Sequence, residues 1–314
     1  MCDTPAVIYL LAGVTAAGKS KISLKWAQQI GGEILSCDSV AVYRGMDIGS
    51  AKPSIPERQE VPHYGIDLVE VNEVFSVADY QVYIKKTVEE MKAKKKPIVV
   101  AGGSGFYLQS FLSPVVDDIE VSGDIRGQVE ELYSRKDLDG ILFELKKLNP
   151  DGLGEMDTLN PRRVMRGLER CLASGKSILE LKNEFEKKPN PFPEFEKQVL
   201  WLDRENEDLE RRISDRSQKM LEGGLLRETE DLLCAGIAGN APASNAVGYR
   251  ECIAHLKGVL PEEQLLEAIN YSTRRLVSKQ RKWFRKHLGE SARFVMDQSF
   301  EADDPGQLNW IRHS

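Results

Sequence analysis

Gly13, Gly18, Lys19 and Ser20 stand in the order G-x-x-x-x-G-K-S inside "LLAGVTAAGKSKISL". A glycine turn that opens a helix points backbone N–H groups at an anion, and the helix dipole adds to the attraction. The loop Gly13, Val14, Thr15, Ala16, Ala17, Gly18, Lys19 and Ser20 is therefore expected to hold phosphates, with Lys19 neutralising their charge and Ser20 ligating Mg²⁺. Asp38, in "CDSVAVYRGMDIGSAKP", is the candidate carboxylate. It can hold Mg²⁺ through water, take a proton from an attacking nucleophile, or cap a turn. Asp47, in "GMDIG", reads as a turn residue. A second glycine turn, Gly102 to Gly105 around Ser104, follows "PIVVA". Such a turn lets backbone approach a ligand closely, or serves packing alone.

Positioning these groups together requires a parallel sheet with its loops at one edge. "AVIYLLAG" reads as a buried strand, followed by the glycine loop and a helix from about Lys19 to Ile30. "GGEILSCDS" is a second strand ending near Asp38, and "YGIDLVE" a candidate third. "VADYQVYIKKTVEEMKAKKK" is a helix with Ala78, Val82, Val88 and Met91 on one face, and "KPIVVAGGSGFYLQSFL" is strand, turn and helix. The alternation predicts an α/β fold: a P-loop-type parallel sheet with helices on both faces. An ATPase or GTPase would end a neighbouring strand in a Walker-B Asp; the best apolar strand here runs into glycines instead. Breaker-rich "LSPVVDDIEVSGD" and "KKPNPFPEFEK" flank a helical stretch, which divides the chain into 1–119, a helical insertion at 120–195, and 196–314. "QVLWLDRE" resumes the sheet, and "SARFVMDQS" is a late strand.

Composition narrows the classes. The net charge of −6 argues against a polyanion-binding chain as a whole, so only local patches can serve RNA. The 5 cysteines are scattered without C-x-x-C spacing, which argues against a disulfide framework and a zinc site and suits a reducing cytosol. "AVIYLLAG" is too short to span a membrane and lacks a basic leader. Basic charge gathers in "RRLVSKQRKWFRK", where 7 of 13 residues are Lys or Arg, and in "NPRRVMRGLER". Leu276, Val277, Phe284 and Leu288 can bury one side of the first of these. Arg212 and Arg216 are spaced to share a helix face. Either basic cluster is a solvated helix face or a polyanion grip.

"GVTAAGKS", "DSVAVYRGMDIGSAKP", "VAGGSGFYLQSFL", "VGYREC" and "STRRLVSKQRKWFR" follow one another over most of the chain. In these stretches the chain resembles the bacterial tRNA dimethylallyltransferases, also called tRNA isopentenyltransferases. The second stretch is far more specific than the phosphate loop. The resemblance implies transfer of a dimethylallyl group from dimethylallyl diphosphate to N6 of adenine 37, just 3′ of the anticodon, in tRNAs reading codons that begin with U. It implies that the loop holds the donor's diphosphate with Mg²⁺ as cofactor, and that Asp38 is the general base. Ser104, where the family usually has Thr, would hydrogen-bond the leaving oxygen or orient the amine. Arg216 would stabilise charge on the departing diphosphate. By the same resemblance Asp38, Ser39, Val40, Ala41 and Ser104 meet the tRNA, Arg162, Arg163, Val164, Met165 and Arg166 match a tRNA-contacting R-x-x-R segment, and Lys279 and Arg281 grip backbone or loop. The expected partners are the tRNA anticodon stem-loop and dimethylallyl diphosphate, for a cytoplasmic monomer away from membranes.

Departures from the family pattern are Ala41 for Gln, Val14 for Pro and Ser217 for an aromatic; none removes an acid, base or phosphate ligand. A small-molecule or nucleotide kinase also pairs a P-loop with a strand-end carboxylate, but has no need of the basic clusters. An adenylate prenyltransferase would modify free nucleotide without an anticodon grip. An RNA-binding protein with a dead P-loop fits poorly with intact Gly18, Lys19, Ser20 and Asp38.

Overall fold

Val7–Gly13 (β1) is apolar along both faces, and it lies at the middle of the sheet with only Val7 and Tyr9 partly exposed. The structure, a computed structural model, describes residues 6–297 and 308–313. After β1 come α1 (Lys19–Ile30), β2 (Glu33–Cys37), α2 (Ile55–Glu60), β3 (His63–Tyr64), α3 (Val77–Ala93), β4 (Ile98–Gly102) and α4 (Gly105–Leu112). The helices α5 (Gly123–Lys147), α6 (Pro161–Ser174) and α7 (Ile178–Glu186) precede β5 (Glu196–Arg204). Then follow α8 (Asn206–Glu222), α9 (Leu225–Cys234), α10 (Ala241–Ser244), α11 (Tyr249–Leu256), α12 (Glu262–His287), β6 (Arg293–Met296) and β7 (Ile311–His313).

The sheet runs β3-β2-β4-β1-β5-β6, with β7 pairing β5. Every pairing on that path is parallel, and β7 is antiparallel. This is the α/β architecture that strand–helix alternation predicts. Register places Cys37 beside Gly102 and Ala12 beside both Gly102 and Trp201. The loops after β1, β2 and β4 therefore leave one edge together, where ligands bind in open α/β sheets.

Two compact units are present: 1–112 with 191–314, and 113–190. The first holds the sheet, with Trp201, Tyr80, Phe111 and Phe284 among its fully buried side chains. The second has its own small core of Val129, Ile141, Leu145, Val164 and Leu168, and α5 is interrupted at Asp137, where φ is +53°. Ser54, Ser76 and Ser177 start their helices with capping boxes, each satisfying otherwise orphaned N–H groups.

Three local expectations differ. The third strand is His63–Tyr64 rather than "YGIDLVE", because Gly65 and Asp67 both turn to positive φ and the Asp67 carboxylate is drawn to Lys52 and Arg58; beyond them only Val69 makes a bridge, to Tyr43. Val82 is 73 % exposed, since α3 buries the stripe Tyr80, Ile84, Thr87, Val88 and Met91 instead. The late strand covers Arg293–Met296, and Gln298 and Ser299 of the expected segment lie outside the described residues. Among the described residues no helix is long and apolar enough to cross a membrane.

Candidate active site

The glycine loop leaves β1 and enters α1 as its spacing requires. Gly13 must be glycine, since a Cβ there would stand 2.9 Å from the Lys19 side chain and 3.0 Å from Leu202. Gly18 has φ +100°, and Ala16 adopts the left-handed region at φ +66° despite its side chain. Two arginines hold that shape from behind. Arg212 Nε donates to the Ala16 carbonyl at 2.8 Å, and Arg204 Nε to the Ala17 carbonyl at 3.0 Å. Lys19 Nζ donates to the Val14 carbonyl at 3.1 Å, and Ser20 is exposed at the start of α1. The Thr15 N–H, expected to face an anion, donates instead to Gln280 Oε1 at 2.9 Å.

Asp38 and Ser104 follow the ends of the adjacent strands β2 and β4. A Cβ at Gly102 would lie 2.1 Å from the Cys37 carbonyl oxygen, so glycine is what permits those ends to close up. The Ser104 N–H then donates to that same carbonyl at 3.1 Å. Asp38 Oδ1 accepts from the Val40 N–H at 2.8 Å and, more weakly, from Ala41 at 3.4 Å. The turn-capping role is thus real, and both of these bonds fall on Oδ1. Beneath them the buried Cys37 thiol is pushed up by burial and bonds the Tyr80 hydroxyl at 3.0 Å.

Lys19, Ser20, Asp38, Ser39, Val40, Ala41, Ser104 and Arg216 line one cleft of about 650 Å³. A neighbouring hollow of about 470 Å³ shares Lys19, Ser20 and Arg216 and adds Lys21, Arg212 and Lys219, so the loop is ringed by cations. Burial first, and the Arg216 charge second, lower the Lys19 ammonium to about 8 against the opposing pull of Asp38. Burial likewise depresses Arg216, again against Asp38. A lysine with a pKa near 8 is charged below that pH and loses attraction for an anion above it. Affinity for an alkyl diphosphate should therefore fall as pH rises past about 8, at most roughly tenfold per pH unit. Calorimetric titration at several pH values checks this. Lys19→Arg, which stays charged, should flatten the curve and control for titration of the ligand itself.

The other expected residues divide. Lys279 is exposed and lines the cleft with Arg250 and Arg275. Arg281, expected to grip RNA, is corrected: its Nε and Nη2 donate to Asp203 at 2.8–3.0 Å and its Nη1 to Asn206, so the guanidinium fastens α12 to the end of β5. In the second unit Arg162, Arg163 and Arg166 are exposed, with Arg163 3.7 Å from Asp157. Val164 is corrected as well: it is 0 % exposed in that unit's core, so its side chain cannot meet RNA, and Met165 packs partly against the same core. Val14 and Ser217, two of the departures, are buried; Ser217 also borders the cleft. Asp47 stands just before the turn at 48–51 and pairs with Lys52 at 2.7 Å.

Sequence reasoning missed Arg204, Gln280, Glu228 and Asp203. Glu228 accepts from the backbone of Asp47, Ile48 and Gly49 and from the Tyr249 hydroxyl at 2.6 Å, fixing the loop that closes one side of the cleft. Asp203 does end a strand beside β1, yet Arg281 and Arg293 occupy both its oxygens. Apart from Tyr249, 21 positions from Glu228, the partners of these residues across the fold lie 78 to 265 residues away in sequence, beyond any local signal.

A family model described as IPP transferase matches residues 41–287, a span that begins just past the phosphate loop and Asp38. A curated tRNA dimethylallyltransferase of Opitutus terrae is 45 % identical over 284 residues, covering 90 % of this chain and 91 % of its own. One from Bdellovibrio bacteriovorus is 37 % identical, covering 89 % and 90 %. Among solved structures, the tRNA isopentenylpyrophosphate transferase of Bacillus halodurans is 29 % identical with a TM-score of 0.66, over 93 % of this chain and 89 % of that one. A eukaryotic dimethylallyltransferase described as acting on tRNA is 26 % identical with a TM-score of 0.79, over 97 % and 75 %. With the model spanning most of the chain and relatives matching along nearly their whole lengths, the chain belongs to the IPP transferase family.

Proposed function

We propose that this enzyme is a tRNA dimethylallyltransferase that moves the dimethylallyl group of dimethylallyl diphosphate onto N6 of adenine 37 in tRNAs reading codons that begin with U. The observation that carries the reading is the single cleft in which a phosphate loop, Asp38 and Ser104 meet while the strand between β1 and β2 ends in glycines rather than a Walker-B carboxylate. The N6–carbon bond forms as the carbon–oxygen bond to diphosphate breaks. The electron pair leaves with the diphosphate, and the N6 proton passes to Asp38. An exocyclic amine conjugated with a purine is a poor nucleophile, so proton removal and alignment both matter. Lys19 and Arg216 stabilise the charge that grows on the leaving diphosphate. Ser104 offers its hydroxyl to the leaving oxygen or the amine.

Ser20, exposed at the start of α1 beside Lys19, is the residue whose hydroxyl would hold Mg²⁺ next to the donor's phosphates. When bound, it would supply charge neutralisation to the diphosphate. Labelled dimethylallyl diphosphate with unmodified tRNA should give prenylated RNA and little prenylated AMP. Transfer of label from γ-labelled ATP to a small acceptor, with tRNA inert, would instead establish a kinase.

The RNA grip is assigned to Arg162, Arg163 and Arg166 in the second unit and to Lys279 in the first. Arg162→Gln with Arg166→Gln should weaken tRNA binding uniformly across sequences and lower the slope of log K against log salt by about 2. Binding isotherms at four salt concentrations check it; parallel lines for parent and variant would mean that those arginines only solvate α6.

A further inference from the structure

We infer that Gln280 is a positioning residue that sets the distance between the donor-holding loop and the acceptor-activating turn. Its amide joins the two. Oε1 accepts from the Thr15 N–H at 2.9 Å, and Nε2 donates to the Gly103 carbonyl at 3.1 Å. Gln280 is only 9 % exposed, so both ends of the amide are satisfied by backbone rather than by water. The fit is close: a Cβ on Gly103 would stand 2.5 Å from Nε2, and one on Gly105 would stand 2.6 Å from the Trp283 ring of the same helix. The next residue, Arg281, is fastened to Asp203, which fixes the point from which the amide reaches.

The contacts make one unbroken line across the sheet edge. Thr15 belongs to the phosphate loop, Gln280 links it to Gly103, Ser104 follows, and the Ser104 N–H binds the carbonyl of Cys37, immediately before Asp38. A leaving group on the loop and a base on β2 are thereby referred to one amide. Neither the phosphates nor the adenine needs to touch Gln280 for this to act. Transfer between two bound substrates depends steeply on the separation of the reacting atoms, and an error of about 1 Å can cost about 100-fold.

This rests on the reading of the chain as a tRNA dimethylallyltransferase. The test is Gln280→Met, which keeps length and bulk but loses both hydrogen bonds, measured on the full chain beside the parent. We expect kcat for tRNA prenylation to fall by about 10- to 100-fold, while the dissociation constants of pyrophosphate and of tRNA, measured separately, change by less than about threefold. Gln280→Asn, which keeps a neutral amide but falls one methylene short of both partners, should show the same split, and it decides the matter if the Met variant does not fold. An unchanged kcat overturns the inference. So does a kcat loss matched by an equal loss of pyrophosphate affinity, the signature of a role confined to the loop. If the parent binds both ligands yet transfers no prenyl group, the functional reading itself falls, and this inference with it.

Discussion

Asp38→Asn is expected to lower kcat by about 10²- to 10⁴-fold while leaving the site assembled. Asparagine retains an Oδ1 that can accept from the Val40 N–H, now made at 2.8 Å, so the turn after β2 survives and only the proton acceptor is lost. Diphosphate binding should be kept or tightened, because a negative charge that faces Lys19 and Arg216 is removed. Opposite movement of turnover and donor affinity separates a base from a residue that merely shapes the loop. Asp38→Ala removes the cap as well and should lose some stability too. Single-turnover transfer with saturating tRNA, beside calorimetry with pyrophosphate, gives both numbers. Turnover within tenfold of the parent would remove Asp38 from the chemistry.

Asp203→Ala should destabilise the first unit by about 3–5 kcal/mol. The carboxylate is 0 % exposed and accepts from Arg281, from Arg293 at 2.6 Å and from the Arg204 N–H at 2.9 Å. Removing it takes the shared carboxylate from two guanidiniums at the end of β5, leaving Arg281 its bond to Asn206 and Arg293 its pair with Glu290. Each is about a fifth exposed, at 19 % and 22 %, so water softens the loss toward the lower figure. Urea denaturation followed by tryptophan fluorescence reports it directly, since the Arg293 guanidinium lies over the Trp201 ring at 5.2 Å. A change under about 1 kcal/mol would make the cluster an ornament of the surface. Arg281→Ala should follow the same stability trend with little effect on the salt dependence of tRNA binding, the reverse of the Arg162 and Arg166 pair.

The contrast between those arginines shows what was legible in the chain and what was not. Glycine spacing after an apolar run announced the β1–loop–α1 unit, and α1 occupies the expected Lys19–Ile30. Strand ends near Asp38 and Ser104 were likewise readable, because burial on both faces leaves an unbroken apolar run. Arg281 misled because seven basic residues within thirteen look alike until their partners are known. Its partner is 78 positions upstream, on a strand. Arg204 and Gln280 were silent for the same reason: each reaches loop backbone through a contact that only the folded sheet creates. Val82 failed differently, since an aliphatic residue on a helix is counted as core by periodicity even when its neighbours Tyr80 and Ile84 already fill the face. The family-specific "DSVAVYRGMDIGSAKP" combines both kinds of information. Asp38 is the proposed base, whereas Lys52, with only 2 % of its side chain exposed, ties Tyr43, Asp47 and Asp67 together.

Arg212 and Arg204 fix the carbonyls of Ala16 and Ala17, and that has a thermodynamic consequence. A loop whose peptide planes are already oriented has little freedom left to lose when an anion arrives, so the ordering entropy falls on folding rather than on association. Amide hydrogens at Gly18 to Ser20, which open α1 and face the anion site, should gain their protection from exchange when pyrophosphate binds, and donor capture should proceed without a conformational lag.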